Sequence, residues 1–76
     1  MRKVNYEHLT VNSEAIDVIE YFRELRTLMV RFSNGGIYSY YNIPVKLFQK
    51  MRNSYSIGKF YNRNIKNRYE FTAKHS

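Results

Sequence analysis

The stretch T-L-M-V-R-F-S-N-G-G-I-Y-S-Y, Thr27 to Tyr40, decides the fold of this chain. Leu28, Val30 and Phe32 alternate with Met29, Arg31 and Ser33. That period of two turns one set of side chains toward a core and the other toward water, as a half-buried strand requires. Asn34-Gly35 follows at once. Both residues tolerate a positive φ, so the dipeptide predicts a hairpin with a type I′ turn. The returning strand is expected over Ile37–Ile43, with Ile37, Ser39, Tyr41 and Ile43 on one face and Tyr38, Tyr40 and Asn42 on the other. Upstream, A-I-D-V-I-E-Y-F (Ala15–Phe22) is β-branched and aromatic and reads as a further strand. The polar turn Arg23–Arg26 joins it to the hairpin.

Downstream, Pro44 has no N–H to give a sheet and a φ suited to the first turn of a helix. Val45, Leu47, Phe48 and Met51 recur at helical spacing, which predicts a helix over Val45–Met51. Ser56 reads as the N-cap of a second helix, Ile57–Lys66, in which Ile57, Phe60, Tyr61 and Ile65 face the sheet. The fold class expected is α+β: a three-stranded antiparallel β-meander followed by two short helices, in one small domain over residues 11–70. Residues 1–10 are expected to form a loosely attached N-terminal arm and residues 71–76 a C-terminal tail.

The chain of 76 residues has no cysteine, which excludes a disulfide framework and every thiolate metal site. The longest run without a charge, Phe32 to Val45, contains Asn34-Gly35-Gly36 and Pro44 and cannot span a bilayer. The polar start Met1-Arg2-Lys3-Val4-Asn5 lacks the apolar core of a signal peptide. These features predict a soluble, cytoplasmic protein. The net charge is +7, and its placement is one-sided: from Leu25 to Tyr69 there are nine Lys or Arg and no acid. Such asymmetry points to a polyanionic partner. Lys59, Arg63 and Lys66 stand at i, i+4 and i+7, stacked on one exposed stripe of the second helix and flanked by Asn62. Lys46, Lys50, Arg52 and Arg68 extend the stripe into a patch.

Several short stretches then carry a resemblance to a known family. They are V-N-S-E-A-I (Val11–Ile16), R-T-L-M-V-R-F-S-N-G (Arg26–Gly35), Y-S-Y (Tyr38, Ser39, Tyr40), I-P (Ile43-Pro44) and S-I-G-K-F-Y-N-R-N-I (Ser56–Ile65). In this order and spacing the chain resembles the KTSC domain, a module named for the C-terminus of certain lysyl-tRNA synthetases. The module also occurs alone in small bacterial and phage-type proteins. The resemblance implies a β-meander with following helices and a role in RNA binding.

An enzyme needs a positioned acid, base, nucleophile or metal. His8 and His75 fall in the expected terminal segments, and Asp17 and Glu20, three apart on a strand, fall on opposite faces. Gly35-Gly36 belongs to the hairpin turn and Gly58 stands alone, so no phosphate loop is present. The chain is therefore expected to be non-catalytic, with no metal, cofactor or small-molecule substrate. A nucleic-acid module needs cations for phosphates and flat side chains for bases. The candidate binding residues are Lys59, Arg63, Lys66, Arg68, Lys46, Lys50, Arg52 and Asn62, with Tyr38 and Tyr40 either stacking bases or packing in the core. The expected partner is RNA rather than DNA. A protein-binding adaptor or inhibitor that docks on an acidic surface of a host protein would use the same cations, and both readings stay open.

Overall fold

The computed structural model describes residues 6–75. Five strands, β1 (Tyr6–Thr10), β2 (Ile16–Phe22), β3 (Thr27–Phe32), β4 (Gly36–Tyr40) and β5 (Phe71–His75), form one antiparallel sheet in the order β1-β2-β3-β4-β5. Two helices, α1 (Val45–Arg52) and α2 (Ile57–Asn64), lie between β4 and β5 in the chain. The fold class is α+β, but the sheet has five strands where three were expected. Both additions come from segments read as an arm and a tail. Tyr6–Thr10 pairs with β2 from Tyr6↔Phe22 to Thr10↔Val18, and Phe71–His75 pairs with β4. Each is an edge strand, held by one backbone ladder and little side-chain burial, so its sequence carries almost no apolar alternation. Residues 1–5 of the expected arm and Ser76 of the tail lie outside the described residues.

The hairpin of β3 and β4 forms, but with Val30 opposite Tyr38 and Leu28 opposite Tyr40, one residue away from the Val30–Ser39 pairing that a two-residue Asn34-Gly35 turn would set. Its turn is not type I′. Gly35 alone has a positive φ, 95°, and its N–H donates to the Phe32 carbonyl at 3.0 Å. A reverse turn over Phe32–Gly35 thus ends in a left-handed glycine, which makes a three-residue loop. The Asn34 side chain accepts from the Gly36 N–H at 2.9 Å, so this asparagine works through its carboxamide, not through a left-handed backbone. The β2–β3 turn repeats the design: Arg26 N–H reaches the Arg23 carbonyl at 3.3 Å, and Arg26 has φ 52°. Strand β4 also ends earlier than expected. Asn42 at φ 60° swings the chain, so Ile43 turns into the core instead of continuing the outer face.

Ile19, Tyr21, Leu28, Val30 and Tyr40 fill the inner face of the sheet and meet Phe48 and Met51 of α1 and Tyr61 of α2, with Ile65 just beyond that helix. Ile16 joins them although it lies three residues from Ile19, because an irregularity at Asp17 inserts one extra residue between the Ile16↔Phe32 and Val18↔Arg31 pairs. Tyr21 is fully buried, stacks on Phe48 at 4.4 Å and donates its hydroxyl to the Ile43 carbonyl at 2.6 Å. Both helices pack on this one face. Val18, Glu20, Met29, Arg31, Ile37 and Ser39 alternate to the opposite face, where none is buried. Among the described residues, no helix is long and apolar enough to cross a membrane.

Candidate nucleic-acid interface

The helices leave one end of the inner face open. α2 starts at Ser56, whose hydroxyl accepts from the Lys59 N–H at 3.3 Å, as the cap position predicts. It ends at Asn64, two residues before the expected Lys66. The N–H groups of Ile65 and Lys66 both bond the Tyr61 carbonyl at 3.0 Å, and Asn67 adopts φ 65°. This left-handed turn closes the helix and stops it short of β5. Beside β5 the sheet carries small residues on the inner side: Ala73 stands opposite Tyr38, and Gly36 precedes it by two on β4. A short helix and missing side chains together leave a cleft of about 720 Å³.

Aromatic rings form much of its wall. Tyr38 lies edge-on to Phe32 at 5.2 Å and close to parallel with Phe71, 5.3 Å away and 21° between planes. Tyr40 and Tyr61 lie deeper, 2% and 4% exposed, with their hydroxyls hydrogen-bonded to each other. Burial pushes both hydroxyls above the usual tyrosine range; for Tyr61 the bond to Tyr40 adds to it. Both therefore remain neutral phenols. Asn62, Lys66, Asn67 and Lys74 contribute polar lining, and among the described residues no acid borders the cleft.

Of the residues expected to bind, the cleft brings together Tyr38, Tyr40, Asn62 and Lys66. Tyr40 is core, while Tyr38 is half-buried and borders open space. Lys59 and Arg63 are exposed on α2, and Lys46 and Lys50 on α1, all outside the lining. Lys66 sits in the turn after α2, so the three-cation stripe is not a single helix face. Arg52 is engaged elsewhere: its guanidinium meets Glu7 at 2.6 Å and lies 5.8 Å from the Phe48 ring centre. Arg68 donates from Nε to the Arg63 carbonyl at 2.9 Å and borders a neighbouring recess with Tyr41, Tyr69 and Phe71. The three asparagines of this region divide their work. Asn64 bonds back to the Phe60 carbonyl at 3.2 Å, Asn67 makes the left-handed turn, and Asn62 lines the cleft. Phe71 and Lys74 escaped the sequence reading, and Phe32 was expected only as an inward-facing residue of its strand; the alternation Phe71, Ala73 against Thr72, Lys74 was the one signal for the last strand.

His8 lies in β1, 3.1 Å from Glu20, which also accepts the Tyr6 hydroxyl. That bond, the contact with His8 and the nearby Arg31 hold the Glu20 carboxyl below the usual range, while the same bond and the Glu20 charge push the Tyr6 hydroxyl up. The group stands on the outer sheet face, apart from the cleft. No three metal-binding side chains cluster among the described residues.

A family model for the KTSC domain matches residues 12–69, a span that runs from the loop before β2 through both helices. The chain belongs to the KTSC domain family. The crystal structure of a KTSC domain protein from Yersinia pestis is similar to it, with a TM-score of 0.79 and 25% identity, over 93% of this chain and 97% of that one. A protein of Tsukamurella paurometabola is 33% identical over 63 residues, 83% of this chain and 94% of that protein. A lysine–tRNA ligase of Nostoc punctiforme is 27% identical over 63 residues, which cover 83% of this KTSC chain but 11% of the ligase. The KTSC unit thus matches both a small protein at nearly full length and a short part of a much larger one.

Proposed function

We propose that this KTSC domain is a non-catalytic RNA-binding module of the cytoplasm. The observation that carries the reading is the cleft, bordered by no acid among the described residues, where aromatic rings stand beside Lys66 and the carboxamides of Asn62 and Asn67. Flat rings stack on bases and cations meet phosphates, the two contacts that nucleic-acid binding needs. Lys59 and Arg63 on α2 add cations that no described acid pairs with. The similarity of a segment within a lysine–tRNA ligase fits a module that works beside RNA.

The test is a titration of labelled RNA from roughly 50 to 200 mM salt, where each phosphate contact on a single strand adds about 0.7 to the log–log slope. Replacing Arg63 and Lys66 with Gln is expected to flatten that slope by about 1.4 without changing the melt. An unchanged slope in the folded double variant removes these two residues from the interface. If the wild type binds no nucleic acid in a salt-dependent way and instead retains one acidic polypeptide, the adaptor reading replaces this one.

A further inference from the structure

We propose that the cleft selects single-stranded RNA by seating an unpaired base against Tyr38 and Phe71, and that duplex RNA is excluded from it. The inference rests on the RNA-binding reading and adds which form of RNA the site takes. Phe71 is 46% exposed on an edge strand, and its ring and that of Tyr38 lie within 21° of parallel beside open space. The faces of bases in a duplex are already stacked on one another, and only their edges and the backbone reach a protein. A ring wall set inside a hollow has nothing to meet on such a helix. An unstacked base offers it a whole face.

The size of the hollow agrees. A cleft of about 720 Å³ falls within the range of pockets that hold small ligands, about 300–1,000 Å³. It has room for a nucleotide and none for two paired strands. The space exists because Ala73 stands opposite Tyr38 where a larger residue would close it. The polar groups also suit a base edge. Tyr40 and Tyr61 hydroxyls satisfy each other and are not free to read a ligand. Asn62 and Asn67 make no side-chain hydrogen bond among the described residues, and each carboxamide offers both a donor and an acceptor. Lys66, at the same cleft, lies where it can follow the strand's phosphate.

The experiment compares a short uridine-rich single strand with a blunt RNA duplex of the same composition class, by fluorescence anisotropy, for the wild type, Phe71→Ala and Ala73→Phe. The wild type is expected to prefer the single strand. Phe71→Ala should weaken single-strand binding roughly 5- to 150-fold, the range for loss of one stacking contact, and leave the weaker duplex binding unchanged. Ala73→Phe fills the cleft and removes nothing, so it should reproduce that loss, and it carries the test if Phe71→Ala fails to fold. Equal affinity for strand and duplex, with the folded variants silent, overturns the single-strand inference and leaves RNA binding standing. Absence of salt-dependent binding to either RNA overturns the proposed function itself.

Discussion

The buried hydroxyl pair of Tyr40 and Tyr61 permits a quantitative test of the core. The two residues are 2% and 4% exposed, and their hydroxyls bond each other. Changing Tyr61 to Phe keeps its ring and removes one oxygen, which leaves the Tyr40 hydroxyl buried without that partner. An orphaned buried hydroxyl costs about 1–3 kcal/mol, and the reverse change, Tyr40→Phe, should cost the same. The double change removes both oxygens and strands neither, so its cost should be well below the sum of the two. The expected coupling is therefore about 1–3 kcal/mol. A single-variant loss of about 2 kcal/mol lowers Tm by roughly 8–16 °C in a domain of this size. Total stability of about 4–11 kcal/mol, expected for 76 residues, leaves the single variants folded in most of that range. Urea unfolding of the four proteins at constant slope measures the cycle. Additivity within about 0.5 kcal/mol would show that water entering from the cleft replaces the missing partner, and would refute the claim that each hydroxyl depends on the other.

Two further outcomes follow from particular contacts. Because the hydrogen bond from the Tyr6 hydroxyl lowers the Glu20 carboxyl, that group stabilises the fold above the ordinary glutamate value of about 4.3 and ceases to as pH falls through its lower folded value. Glu20→Gln should therefore melt below the wild type at about pH 6 and approach it at about pH 3; an equal gap at both would show that Glu20 acts otherwise than through its charge. Arg26 and Gly35 hold matching left-handed positions, so Arg26→Gly should gain up to about 1 kcal/mol while Gly35→Ala loses about 1 kcal/mol or more, measured by thermal melts.

The hairpin, the two helices and the inner face were legible because they follow from periodicity. Leu28, Val30 and Phe32 alternate, Tyr38 and Tyr40 must share a face, and Phe48 with Met51 must lie on one side of a helix. Period says nothing about how far a covering helix reaches. It places Lys66 seven residues after Lys59 on one stripe only if the helix persists, and the left-handed Asn67 ends it first. Whether Tyr38 was core or surface therefore turned on the length of α2, not on its own strand. The edge strands were illegible for a different reason. Tyr6–Thr10 and Phe71–His75 are held mainly by backbone bonds, which any sequence can make. With β5 unseen, Phe71 and Ala73 could not be placed beside Tyr38, and one wall of the cleft was missing from the reading.

The return of the chain to the sheet has a kinetic consequence. Strands β1 to β4 join through short links, but the chain leaves the sheet at Tyr40 and rejoins it only at Phe71, after two helices. Closing a link of about 30 residues costs roughly 2 kcal/mol more entropy than closing a four-residue turn. β5 is held on one side only, as β1 is, but it alone carries this longer closure. It should be the last to dock and the first to open in amide exchange, ahead of the β3–β4 pairing beneath it. One wall of the cleft is thus attached to the least secure part of the sheet. Occupying the hollow and fastening the strand are linked: a ligand gripping Phe71 protects the β5 amides, and a change that frees the strand weakens the ligand in proportion to the docked fraction lost.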